Sequence, residues 1–227
     1  MRNSLILFLL ITSITVFCQS DNLNRINIGI TYSSIGNYRT IESSLFSDLR
    51  NEYEGIQFGN GIGLQLLFNL NDKYSLKSGL YYQQRGFRFK RVFFENEYDP
   101  AVPDYTDRKE EYSYITIPLL IRLNQNLSKI YLFESLGINT NFFHNHTSTT
   151  TMVRGDNIES TSITNRGGPY NLTISPIINI GIGIQLLELL VFEISPFIQH
   201  DIIKIEDIDP GTYLFDFGLT AALLYKF

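Results

Sequence analysis

Two histidines one residue apart, His144 and His146, are the first residues of this 227-residue chain whose type and spacing could do chemistry. In an extended segment residues i and i+2 share a side, so the pair could offer two imidazoles to a metal ion. No clear third ligand stands nearby, and an exposed loop accounts for them without a metal. Glu95, Glu97 and Asp99, and again Glu206, Asp207 and Asp209, supply the clustered hard oxygens that calcium prefers. Such groups are more often solvated loop faces. His200 beside Asp201 could serve as base and orienting group, but catalysis also needs a nucleophile within hydrogen-bond reach. No serine is placed to join them, and alternation turns His200 to the apolar side of its strand. Gly59, Gly61 and Gly63 alternate and precede no helix, so they are strand positions and not a phosphate loop. The sequence predicts no catalytic residues, no cofactor and no metal.

What must position these residues is a set of strands. Residues 1–18 read as a cleaved signal peptide: Arg2, an apolar run from Leu5 to Ile14, then Val16 and Cys18 at −3 and −1 before Gln19. Cys18 is also the form of a lipoprotein site, from which the bulky Phe17 departs. Cys18 is the single cysteine, so the mature domain, 19–227, has no disulfide or thiolate chemistry. Seventeen Phe, fourteen Tyr and no Trp accompany a mean hydropathy of −0.02. A membrane barrel hides its hydrophobicity in this way, since outward apolar residues alternate with inward polar ones. Net charge −5 and a pI near 5.2 argue against nucleic acid as a partner.

Period-two alternation places strands at about 25–33, 56–70, 74–90, 112–123, 130–142, 171–186, 191–200 and 213–227. In the second, Ile56, Phe58, Ile62, Leu64, Leu66, Phe68 and Leu70 share a face that Gln57, Gly59, Gly61, Gly63, Gln65 and Asn69 oppose. The fifth leaves its facing open, with Glu134 arguing for one phase and Tyr131 with Phe133 for the other. Short turns fall near residues 71, 126 and 188, and long loops at 34–55, 91–111, 143–170 and 201–212. Eight strands with this alternation of connections predict an all-β, eight-stranded antiparallel up-and-down transmembrane barrel of the outer-membrane type. A soluble barrel would need large apolar residues inside, and here that face is polar and glycine-rich. Pro118, Pro176 and Pro196 fall within strand patterns, where bulges or missing ladder bonds are expected.

With the apolar face outward, Lys77, Arg85, Arg122, Glu193, Asp216 and Lys226 point into the lumen and predict a structural network of salt bridges and hydrogen bonds. Eight strands leave an interior that side chains fill, which excludes a wide pore. Tyr32, Tyr74, Tyr82, Tyr112, Tyr131, Tyr213 and Tyr225 fall near strand ends, as interfacial rings do. The last strand ends on Leu223, Tyr225 and Phe227 with no polar tail. That ending resembles the C-terminal assembly signal of bacterial outer-membrane barrels, in which the last strand pairs with the first.

Three stretches carry a wider resemblance. They are Gly61-Ile-Gly-Leu-Gln with residues 74–86, then Tyr114-Ile-Thr-Ile-Pro-Leu-Leu-Ile-Arg122, then Gly181-Ile-Gly-Ile-Gln with Val191-Phe-Glu-Ile-Ser. Together they resemble the PorT-like outer-membrane barrel family of the Bacteroidota. The resemblance implies the barrel and no single activity, since some relatives assist secretion. The expectation is a monomeric, non-enzymatic outer-membrane protein that presents the loops 34–55, 91–111 and 143–170 outside the cell, its termini periplasmic. Its expected partners are outer-membrane lipid and lipopolysaccharide, the barrel-assembly machinery through the last strand, and a protein met by the loops. Transport through a narrow pore is the alternative, and a rim enzyme stands behind it.

Overall fold

The computed structural model describes residues 26–41, 54–93, 103–127, 129–165, 171–205 and 212–227. The signal peptide expected at 1–18 and both acidic groups, Glu95/Glu97/Asp99 and Glu206/Asp207/Asp209, lie outside the described residues. Within them run β1 (Ile26–Ile41), β2 (Glu54–Gly55), β3 (Gln57–Asn69), β4 (Tyr74–Phe93), β5 (Tyr105–Leu127), β6 (Ile130–Arg154), β7 (Asn157–Asn165), β8 (Leu172–Gln185), β9 (Leu190–His200) and β10 (Thr212–Lys226).

Each long strand finds two antiparallel neighbours. β1 pairs with β3 and β10, β10 with β9, β9 with β8, β8 with β6, β6 with β5, β5 with β4, and β4 with β3. The ladder returns to its starting strand, so eight staves form a closed wall. The seam aligns Ile28 with Tyr225 and Ile30 with Leu223, and the Phe227 N–H donates to the Ile26 carbonyl at 2.9 Å. β2 extends the stave of β3 past Ile56, and β7 stands in line with β8 along the same edge of β6.

Side-chain alternation decides which face is which. Ile30 is 60% exposed and Ile62 57%, whereas the inward Arg122 and Ser175 are 0% exposed. A belt of Ile, Leu and Phe rings the outside while Asn, Ser, Thr, Gln and charged groups fill the inside. That is the inverse of a soluble barrel. Tyr32, Tyr74, Tyr82 and Tyr225 stand exposed in this belt, but Tyr112 is buried and Tyr131 packs inside, so these two are not girdle residues.

The open facing of the fifth predicted strand resolves in β6. Phe133, Ser135, Asn139 and Asn141 point inward, and Glu134 points out. The reason lies across the ladder on β8. A Cβ on Gly183 would sit 2.0 Å from the Tyr131 ring, and one on Gly181 would sit 2.4 Å from the Phe133 ring. The two glycines make room for two aromatic rings in a narrow interior.

Prolines interrupt the ladders they occupy. Pairing of β4 with β5 stops at Ser78–Leu119 and resumes at Tyr81–Thr116, around Pro118. Pairing of β8 with β9 stops at Asn179–Phe197 and resumes at Ile182–Ile194, around Pro196, and it starts only after Pro176. A proline has no N–H to donate. Near Pro118 a compensating bond runs from the Ser78 hydroxyl to its carbonyl, 2.9 Å.

The strands also run further than alternation alone predicts. β1 continues to Ile41, and β5 already begins at Tyr105. Most of the loop expected at 143–170 is a hairpin of β6 and β7, turned at Gly155 with φ 52°. Its β-branched Thr residues favour extended backbone. With both sides solvated, the hairpin shows no apolar period to betray it.

The glycine argument can be tested by Gly183→Ala. The added methyl displaces the Tyr131 ring, and the barrel should lose about 1–3 kcal/mol, the usual cost of overpacking. Urea unfolding of the vesicle-inserted protein measures it, with the outward Ile184→Ala as the control that leaves the lumen untouched.

Candidate functional site

The interior is where this chain concentrates its charge. On β4, Arg85 is fully buried and lies 2.8 Å from Asp201 and 2.5 Å from Asp216. Asp201 also accepts from the Ser175 hydroxyl, and Asp216 accepts from Asn37 at 2.8 Å and Gln199 at 2.6 Å. One guanidinium thus ties β4 and β10 to the residue that follows β9, while neutral donors from β1 and β9 bond Asp216 and one from β8 bonds Asp201. Above this cluster Phe87, Tyr112, Tyr114, Ile205 and Leu214 pack into a buried apolar plug. Arg39 lies over the Phe87 and Phe89 rings at 4.4 and 4.9 Å and pairs with Glu54.

A second cluster fills the other half. Arg122 lies 2.8 Å from Glu193, to which the Tyr131 hydroxyl donates at 2.5 Å. The Arg122 guanidinium stacks 3.7 Å from the Phe133 ring centroid, and its Nε donates to Asn124 at 2.7 Å. Asn124 passes the chain on to Ser75, and Ser75 to Asn69. Lys77 is buried in this half but makes no hydrogen bond or ion pair among the described residues. Along β9 the residues run from Glu193 through Phe197 to Gln199, so an apolar belt of Ile35, Leu120, Ile177 and Phe197 separates the clusters. Beside that belt a cavity of about 30 Å³ is lined by Lys77, Tyr81, Asn139, Asn179 and Gln199, among others.

The structure therefore brings Arg85 and Asp216 into one cluster and Arg122 and Glu193 into the other. Lys226, on the inward register of β10, stays half-buried at the strand end and joins neither. Leu223, Tyr225 and Phe227 stand exposed on the outer face, the last two rings 4.8 Å apart. Sequence reading missed Asp201 as a lumen carboxylate. His200 and Asp201 project to opposite sides of the wall, so no rim pair forms. The His200 ring lies 3.1 Å from the Thr40 hydroxyl and near Tyr213, while Asp201 is buried on Arg85.

The histidine pair separates for a related reason. The register of β5 and β6 shifts between Ser113 and Tyr114, so β6 gains a residue there. One extra residue flips the facing that follows. His144 contacts the outward Tyr82, whereas His146 stacks on the buried Tyr112 at 4.5 Å. His146 Nε2 lies 2.6 Å from Glu110, which also accepts from Ser148 at 3.1 Å and pairs with Arg108. This group sits beyond the outer apolar belt, whose last member on β5 is Ile115. Burial would raise the Glu110 carboxyl, but the hydrogen bond from His146 and the charge of Arg108 outweigh it and hold the group below its ordinary value. Ser148 hydrogen-bonds the carboxylate rather than the imidazole, so the trio is a tie between strands. Among the described residues no three metal-binding side chains converge.

Comparison with known proteins adds a family and a set of shapes. A family model described as an outer membrane protein beta-barrel domain matches residues 17–196. No curated protein matches the chain. Among solved structures it is similar to neisserial surface protein A, at 12% identity over 89% of this chain and 97% of the other, TM-score 0.44. It is similar to OprG from Pseudomonas aeruginosa, at 12% identity over 89% and 94%, TM-score 0.47. It is also similar to the outer membrane protease OmpT from Escherichia coli, at 9% identity over 91% and 99%, TM-score 0.45.

Breaking one partner of a buried pair strands the other charge. Glu193→Leu should therefore cost about 3–5 kcal/mol, and Glu193→Leu with Arg122→Met should recover most of that loss. Unfolding midpoints of the two variants in the same vesicles check both statements.

Proposed function

The chain belongs to the outer membrane protein beta-barrel domain family, and we propose that it acts as a non-enzymatic scaffold presenting an extended surface outside the cell. The observation that carries this reading is a contrast between the two parts of the wall. Within the apolar belt the lumen is filled by two charge clusters, an apolar belt of its own and an aromatic plug. Beyond it, β4, β5, β6 and β7 continue as a sheet, in which Glu110 with His146 and Ser148 ties β5 to β6. A filled barrel with a projecting sheet suits an anchor better than a conduit.

In this reading the projecting sheet faces outward and both termini face the periplasm, with Leu223, Tyr225 and Phe227 as the signal read by the assembly machinery. Lys77, Arg85, Arg122, Glu193 and Asp216 serve structure, and the barrel works as a monomer among lipopolysaccharide and phospholipid. The hairpin of β6 and β7 is the natural contact for a protein partner. Its Thr147–Thr164, Thr149–Ser162 and Thr151–Ser160 hydroxyl pairs, 2.9 to 3.2 Å apart, make one of its faces a polar, regular surface. Membership of the PorT-like group, and with it a part in secretion, is the narrower form of the same proposal. The pore reading draws on the Lys77-lined cavity, whose volume of about 30 Å³ has room for about one water molecule.

Planar-bilayer recording and surface proteolysis test the proposal together. The expected outcome is no conductance step above the bare bilayer, with protease cuts on intact cells confined to the projecting segments. Discrete steps whose size changes in Glu193→Gln would replace the scaffold with a pore.

A further inference from the structure

Every charged side chain within the wall points into the lumen except Glu134, among the described residues of the apolar belt. It stands on the outer face of β6, opposite Leu123 on β5 and Ile180 on β8. It makes no hydrogen bond or ion pair with any described residue. Around it Ile121, Leu123, Leu136, Ile178 and Ile180 line a groove of about 410 Å³ on the outer surface. Four of these are strongly exposed: Ile121 65%, Leu136 61%, Ile180 58% and Ile178 48%. A carboxylate facing hydrocarbon is unfavourable unless a cation meets it.

The depth of Glu134 says where that cation comes from. β6 begins at Ile130, four residues earlier. At a rise of about 3.4 Å per residue and a tilt near 40°, Glu134 stands roughly 10 Å above the strand end. Leu123 links it across the ladder to Tyr74, the first residue of β4 and 47% exposed. Tyrosine favours headgroup depth, so the carboxylate lies near the boundary between headgroup and hydrocarbon and not at the midplane. A cation on a flexible headgroup can reach it there.

We propose that Glu134 and this groove form a binding site for one phospholipid with a primary-amine headgroup, its ammonium on the carboxylate and one acyl chain along the groove. The dimensions favour a lipid over a protein partner. The groove is bounded by side chains of β5, β6 and β8 only, whereas a stable protein interface needs about 800 Å² from each partner. Chemistry favours the primary amine over a quaternary one. An ammonium donates charge-assisted hydrogen bonds to a carboxylate, and a trimethylated nitrogen has no N–H to give. An anionic headgroup would be repelled. The site rests on the barrel lying in a bilayer and does not depend on the scaffold reading.

The test is native mass spectrometry of the purified full barrel released from vesicles of equal parts dioleoyl phosphatidylethanolamine, phosphatidylcholine and phosphatidylglycerol. The wild-type protein should retain a single phosphatidylethanolamine adduct, about tenfold more abundant than the phosphatidylcholine adduct. Glu134→Gln should bring the two within about twofold. Leu136→Trp, which fills the groove, should lower both together. Heat-modifiable migration on a gel shows that each variant is folded. Equal phosphatidylethanolamine and phosphatidylcholine adducts on the wild type, or an unchanged preference in Glu134→Gln, would overturn the site. A wild-type protein without heat-modifiable migration would overturn the membrane barrel itself, and the site with it.

Discussion

No main-chain N–H or carbonyl can be left unpaired in hydrocarbon, and the rest of this structure follows from that constraint. An open sheet has two edges, and the pairing of β1 with β10 removes both. Once the wall is closed, its two faces cannot be alike. The face toward lipid carries Ile, Leu, Phe and Tyr, so the inward-facing polar side chains of the same strands must find their partners inside. The proline sites show how far the constraint bends. Each ladder break is local, and the strand keeps its other neighbour: Pro196 still aligns with Leu219, and Pro176 with Ile138.

The interior then has to solve a packing problem and a charge problem together. Three cations, Lys77, Arg85 and Arg122, face three carboxylates, Glu193, Asp201 and Asp216, and all six are buried. Their arrangement is not three isolated pairs. Arg85 serves two carboxylates on two strands, and Arg122 is held by an aromatic face as well as by Glu193. Such interiors contribute little net stability over an apolar core, but they penalise any register that breaks them. A one-residue slip at the seam would turn Asp216 toward lipid and bring Leu223 inside. The charges therefore guard the register as much as they fill the space.

Much of this was legible in the sequence, because period-two alternation is a local signal. β3, β8 and β10 show it over most of their length, despite Leu67, Ile177, Leu214 and Leu224 on the inward side, and it placed Gln57, Gln65, Asn179 and Asp216 inward. Where two signals compete on one strand, local pattern fails. On β6, Glu134 and the Tyr131–Phe133 rings argue for opposite phases, and what decides is Gly181 and Gly183 on another strand. The histidine pair fails for a similar reason, since the extra residue that parts His144 from His146 shows only against β5. Asp201 was hidden by its place at the end of an alternating run, where nothing local says whether the chain turns in or out. The outer hairpin was hidden because both of its faces meet solvent. In each case the deciding partner is distant in sequence, and one chain read alone does not name it.

Closure is the claim on which the rest hangs, and the Ser33 and Thr220 side chains allow it to be measured. Their oxygens lie 2.9 Å apart across the seam although 187 residues separate them in the chain. Cys18 is the chain's single cysteine. In protein lacking residues 1–18, Ser33→Cys with Thr220→Cys should form an intramolecular disulfide in high yield on mild oxidation of the folded, membrane-inserted barrel. It would be read as a mobility shift that persists after boiling and disappears on reduction. The pair displaced by one register position, Ser33→Cys with Leu219→Cys, should not form it. Failure of the first pair in heat-modifiable protein, or equal yield from both, would contradict a seam with this register and with it the closed wall described above.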